Sequence, residues 1–298
     1  MNRKTKITAL LALASVSFFW GTTYFAIRIG VKDAPPYFFA GFRNVVAGIL
    51  ILLFFLFRDK KLPPINDLLK ASIPGFFMIL LSNGFVSYAE QSVPSGLTAL
   101  LCSFVPFLVV GINVGILKKE KLKWSISTGL LLGILGLGII FYDNVVGITD
   151  PKYLIGIVLI ILANISWASG SLISKNLQTK TAPLLSAGIQ MFTAGLGQIF
   201  VSLLLDGAPD ISGFTNETWL ALIYLIVFGS IIGYGSYIYA LTHLPTTVAT
   251  LYAYINPIVA VFLGWALLNE NVNLGTIIAS LLTLLGVYLV NKGYAQNK

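Results

Sequence analysis

The 298-residue sequence predicts an all-α polytopic membrane protein, with ten transmembrane helices arranged as two inverted five-helix repeats. Three observations carry the prediction. The composition is too apolar for water, the chain divides into ten apolar stretches of membrane-crossing length, and its second half echoes its first.

Hydrophobic residues make up 57% of the chain and charged residues 10%, with a mean hydropathy of +0.88. A soluble domain carries about 25% charged residues, so the solvent implied here is lipid. The one cysteine, Cys102, lies in an apolar run; it excludes an intrachain disulfide framework and reads as a small buried hydrophobe.

The apolar segments run roughly 7–30, 36–57, 68–89, 95–117, 124–142, 154–174, 182–205, 218–240, 246–268 and 274–291. Each approaches the roughly 20 residues that cross a ~30 Å hydrocarbon core as a helix. Helices are the form that satisfies every backbone amide within its own segment, and no period-2 barrel pattern is present. Tyr37, Trp124, Tyr153 and Trp219 near segment ends suit interfacial belts. The first segment has the basic start of a signal peptide, and Ala12-Leu13-Ala14 resembles a cleavage site. Cleavage there would leave too short an apolar core, so the segment reads as a retained helix.

Charge orients the ten crossings. With both termini cytoplasmic, 15 of the 19 basic residues fall on the inner side, while the outer loop at 206–217 holds Asp206, Asp210 and Glu217 with no Lys or Arg. That is the positive-inside pattern. It accounts for the net charge of +8 without a nucleic-acid partner.

The repeat is legible in residues that apolar helices do not share by default. "FFWGTTYFAIR" at 18–28 aligns with "ISWASGSLISK" at 165–175, matching Trp20 to Trp167 and Arg28 to Lys175 at an offset of 147. The same offset pairs Pro36 with Pro183, Arg43 with Gln190, "AGF" at 40–42 with "AGI" at 187–189, and "AG" at 47–48 with "AG" at 194–195. Near 150, Tyr88 pairs with Tyr239, Pro106 with Pro257, Glu120 with Glu270 and Gly136 with Gly286. Five helices is an odd number, so the unit at 154–292 must enter the membrane inverted relative to the unit at 7–142. Many secondary transporters have this plan, with a substrate site between the halves near the midplane.

These residues, together with "YALTHLPTTVATLYAYINPIVAVFLGWALLNE" at 239–270, resemble the drug/metabolite transporter superfamily and, within it, the ten-helix EamA-type permeases. The resemblance spans residues 7 to 292. It implies export or uptake of amino acids or similar small metabolites through a central cavity in a bacterial plasma membrane. The first repeat departs from the pattern at Val105, where the second has Asn256.

Eight residues are expected to bind substrate: Trp20, Tyr24, Arg43, Asn83, Trp167, Tyr234, Tyr254 and Asn256. Arg43 stands seven residues into helix 2, about 10 Å below the boundary at 1.5 Å per residue. A charge there faces protein or a watery cavity, either as a cation for a substrate carboxylate or as a packing arginine bonded to helix-end carbonyls. Asn44, Asn83, Asn113, Asn164 and Asn256 lie within apolar segments, where polar side chains commonly bond between helices. Asn256 is set apart by Pro257, whose missing amide predicts a local helix break near Ala253, bracketed by Tyr252, Ala253, Tyr254 and Asn256. Trp20 and Tyr24 share a helix face, as do Trp167 and Ser171, Asn83 and Ser87, and Tyr234 and Tyr237. Glu120 and Glu270, just before helices 5 and 10, read as structural acids at the N-termini of those helices. Glu90 and His243 read as solvated loop residues, with gating or proton coupling as the alternative.

No Asp or Glu lies in the middle of a span, which disfavours exchange of a cationic drug for protons. No G-x-x-x-x-G-K-[ST] motif accompanies the spans, so the chain carries no ATP-driven pump of its own. One histidine and scattered carboxylates offer neither a catalytic constellation nor a metal set. The expectation is therefore a secondary transporter, an amino-acid exporter by resemblance, with no cofactor. An integral-membrane enzyme or a non-transporting structural subunit is the alternative. Its partners are a small-molecule substrate and the lipid bilayer, with a homodimer left open.

Overall fold

A computed structural model describes residues 3–60, 63–112, 124–143, 150–177, 181–250 and 252–295. All regular structure among them is helical. Ten helices follow in order: α1 (Arg3–Gly30), α2 (Pro36–Asp59), α3 (Ile65–Ala89), α4 (Ser95–Gly111), α5 (Trp124–Asp143), α6 (Pro151–Asn176), α7 (Pro183–Leu205), α8 (Asn216–His243), α9 (Tyr252–Leu268) and α10 (Leu274–Ala295). Six of these, α1, α2, α3, α6, α7 and α8, are long and apolar enough to cross a membrane, and the other four carry shorter apolar stretches. Exposed Phe57, Leu204, Leu220 and Leu281 lie on the perimeter. A perimeter of this kind is stable only in lipid, and the protein is an all-α polytopic membrane protein.

Prolines set several helix starts. Pro36, Pro151 and Pro183 begin α2, α6 and α7, where the missing N–H would have had no partner and φ is already helical. Lys60, at φ 51°, closes α2 in the left-handed conformation by donating its backbone N–H to Leu56.

Helix packing obeys a simple rule. α2 lies along α7, α5 along α10, and α4 against α9, while α1 packs on α8 and α9, and α6 packs on α3 and α4. Adding five to each label, or subtracting it, returns the same set of pairs. The close crossings follow the rule atom by atom. A Cβ on Gly41 would lie 2.9 Å from the Gly195 carbonyl, and one on Gly188 would meet Ile51 and Gly48. These are the glycines of the aligned "AGF", "AGI" and "AG" motifs. In the second crossing, Gly136 meets Ala279 and Thr283, and Gly286 meets Gly129 and Gly133. Small residues let two backbones approach where lipid supplies no hydrophobic drive.

Two features were not visible in the pattern of apolar residues. α3 and α8 each contain a π-helical stretch, Phe76–Asn83 and Leu225–Tyr234. These are helices five apart in order, as the packing rule pairs them, and π turns concentrate at functional sites. In α3 the stretch follows Pro74, which breaks the ordinary ladder. The second feature corrects the expected break near Ala253. α9 runs unbroken from Tyr252 through Pro257, and the interruption comes earlier, at the Thr250 turn after the short helix Thr246–Ala249. With its amide nitrogen turned to them, Asn256 donates to the carbonyls of Tyr252 at 3.2 Å and Ser17 at 2.8 Å, a bond to α1 that pins this turn.

Candidate functional site

A cavity lies where α1, α2, α3, α4, α6, α8 and α9 converge. Trp20, ten residues from the end of α1 and so about 15 Å deep, and Trp167 of α6 meet edge to face with ring centroids 5.2 Å apart. Tyr237 and Tyr252 close the cluster, at 5.1 and 5.2 Å from Trp20. Trp20 is held by donating its indole N–H to the Gly229 carbonyl, 3.0 Å away in the π stretch of α8. The tryptophans matched in sequence thus touch in the cavity lining.

Another part of the lining is polar. Arg43, 4% exposed, donates from Nη2 to the Asn83 side-chain oxygen at 2.6 Å, and its Nε has no partner. Asn44 donates to Gln198 at 3.0 Å and accepts from Ser230 at 3.3 Å, and Gln198 donates to the Ile79 carbonyl at 2.7 Å in the π stretch of α3. Gln198 therefore satisfies a carbonyl of α3's π stretch, as Trp20 does for α8. The cavity offers about 90 Å³ to the centre of a water-sized sphere, several times the roughly 10–15 Å³ that one water needs.

Six of the eight expected residues line this cavity: Trp20, Tyr24, Arg43, Asn83, Trp167 and Tyr234. Asn256 does not. It is buried against α1, where its hydrogen bonds described above use it as a helix tie. The side chain of Tyr254 lies outside the described residues, as do Asn113 and Glu120. The structure adds Thr23, Asn44, Ser82, Asn164, Ser230 and Tyr252 to the lining. Asn164 donates to the Leu101 carbonyl at 2.8 Å, so it also ties α6 to α4. Gln190, aligned with Arg43 in sequence, stays fully buried and hydrogen-bonds the Tyr234 hydroxyl.

Two acidic positions act differently from their sequence reading. Glu270 caps α4 rather than α10: its carboxylate accepts from Ser95 N at 2.7 Å, Ser95 Oγ at 2.8 Å and Gly96 N at 3.0 Å. Only tertiary packing of α4 against α9 brings those amides to it. Glu90 is fully buried, not solvated. Arg28 and Lys175, the matched cations, both satisfy helix C-termini: Arg28 donates to the Glu90 carbonyl at the end of α3, and Lys175 to the Leu241, Thr242 and Leu244 carbonyls at the end of α8. His243 meets the Tyr239 carbonyl at 2.9 Å and stacks on that ring. Among the described residues no cluster of His, Cys, Asp or Glu could hold a metal.

A multi-pass helical membrane protein enclosing a polar cavity over an aromatic floor is the class that fold and site define. The chain belongs to the EamA-like transporter family, whose model matches residues 7–142 and again 154–292. It is 38% identical over 292 residues to the uncharacterized inner membrane transporter YedA of Escherichia coli K12, covering 93% of this chain and 91% of that one. It is 26% identical to the uncharacterized transporter YoaV of Bacillus subtilis, over 98% of this chain and 99% of the relative. A crystal structure at 17% identity shares the fold, with a TM-score of 0.68 over 97% of this chain and 98% of that one.

Proposed function

We propose that the protein is a secondary transporter of small metabolites, with amino acids as its substrate class, working by alternating access in the bacterial inner membrane. One observation carries the reading: a buried arginine faces a cavity and is bonded only to a neutral amide, above a floor of aromatic rings. A guanidinium in such a place is complementary to a carboxylate, and the rings accept the apolar remainder of a small zwitterion.

The n-to-n+5 symmetry of the helix contacts and the double match to one family model support two five-helix units. Their odd helix number supports mutual inversion of the units, and the distribution of basic residues supports cytoplasmic termini. Two similar units in opposite orientation can exchange conformations, so that one site opens to each side in turn. The name of the Escherichia coli relative supports the inner membrane, and the resemblance described above carries export or uptake.

The test is purified protein in liposomes screened against labelled amino acids, nucleobases and sugars. Saturable flux of carboxylate-bearing solutes is the expected result, with its direction read from vesicles of defined orientation. Flux of none of these solutes would defeat the proposal.

A further inference from the structure

Glu90 stands one residue beyond α3 and is fully buried. Neither carboxyl oxygen has a hydrogen-bond partner, because Arg28 donates to the Glu90 backbone carbonyl instead. A buried ionised carboxylate without donors lacks the compensation that burial of charge demands. Its position at the electronegative end of a helix adds to that cost.

The groups facing it are Tyr24 and Arg28 from α1, Arg43 from α2, Cys102 from α4 and Glu270 from the segment after α9. α6 contributes Lys152, which is exposed, and Tyr153, which is half-buried near the same end. Burial is the strongest influence and pushes the Glu90 carboxyl up; Arg28 and Arg43 oppose it and Glu270 reinforces it.

We propose that Glu90 is the proton-binding residue of this transporter, holding a proton in the state seen here and releasing it when the cavity reshapes around Arg43. The coupling role rests on the transport reading above. A substrate carboxylate on Arg43 neutralises a cation whose field opposes the proton, so substrate and proton favour each other's binding. That linkage is reciprocal. The expectation is co-movement of a proton with the carboxylate.

Infrared spectra of the full-length protein in liposomes test the proton without any substrate. Wild type should show a deuterium-sensitive carbonyl band of a protonated acid at neutral pH that bleaches on alkaline titration. Glu90→Gln should lack it, Glu90→Asp should shift it, and Arg43→Gln should keep it to higher pH. Identical spectra for wild type and Glu90→Gln overturn the proposal, as does a titration that Arg43→Gln leaves unmoved. A second arm uses labelled leucine at zero membrane potential. One pH unit across the membrane should drive about ten-fold accumulation by wild type and none by Glu90→Gln. Leucine flux indifferent to the gradient overturns the coupling. Absence of any leucine flux counts against the transport reading alone, and the infrared result then decides on Glu90.

Discussion

Arg43 is held by one strong hydrogen bond, to Asn83, and its Nε has no partner. Replacing it with alanine should impair carboxylate-bearing substrates more than neutral ones. A hydrogen bond to a charged group is worth about 1.5–3 kcal/mol, so a roughly ten- to hundred-fold loss in transport efficiency is expected for carboxylates. Equal loss for both substrate types would assign Arg43 to packing. Asp33, in the exposed turn between α1 and α2, accepts from Thr215 Oγ1 at 2.6 Å and Thr218 Oγ1 at 2.8 Å at the start of α8. The bonds from Thr215 and then Thr218 hold its carboxyl below the usual carboxylate range. A lowered folded-state value stabilises above the ordinary range, and the benefit fades as pH falls through the lowered one. The melting difference between wild type and Asp33→Asn should therefore be largest near neutral pH and vanish in acid. It should also be small, because the site is exposed. The polar and aromatic residues of the cavity were legible one at a time, since a charged or amide side chain in an apolar span needs a partner. Which of them met one another was not. Asn83 and Asn256 look alike in sequence, yet one holds the cavity's arginine and the other ties α9 to α1.

At the scale of the element, helix starts follow local chemistry, and helix contacts follow close approach. Glu270→Ala removes three acceptor contacts from the N-terminus of α4 and should cost about 2 kcal/mol. Thermal unfolding in detergent should show it, with Glu270→Gln retaining part of the loss. A leucine at Gly48 would put its Cβ 2.6 Å from the backbone nitrogen of Phe192, in the α2–α7 crossing. Helix separation follows, and the cost should reach or exceed the roughly 1–3 kcal/mol typical of overpacking. Gly138→Ala, with nothing within 4 Å, is the matched substitution that should be neutral or mildly stabilising. An unshifted melting temperature for Gly48→Leu would contradict the crossing. The start of α2 at Pro36 matches its expected segment, whereas α6 begins at Pro151, three residues before its expected segment, and α7 at Pro183, one residue after. The π stretches were not placed by the apolar pattern; Gln198 and Trp20 from other helices each donate to a carbonyl within them.

For the whole molecule, the proposed mutual inversion of two five-helix units has a direct measurement. In a Cys102→Ser background, Lys32→Cys after α1 and Ala208→Cys after α7 should react with an impermeant maleimide from outside intact cells. Asn176→Cys at the end of α6 should react only after the membrane is opened. External labelling of both Lys32→Cys and Asn176→Cys would place α1 and α6 in the same sense and end the inverted-repeat reading.

The chain alone determined the solvent and the approximate positions of the apolar helices, because burial in lipid and backbone satisfaction act segment by segment; the interruption at Thr250 it did not place. Tertiary structure decided that Trp20 and Trp167 touch, that Glu270 caps a helix 175 residues away in sequence at Ser95, and that Glu90 is sealed from water. Those outcomes depend on which helices lie side by side, a property of long-range contacts that no local pattern encodes.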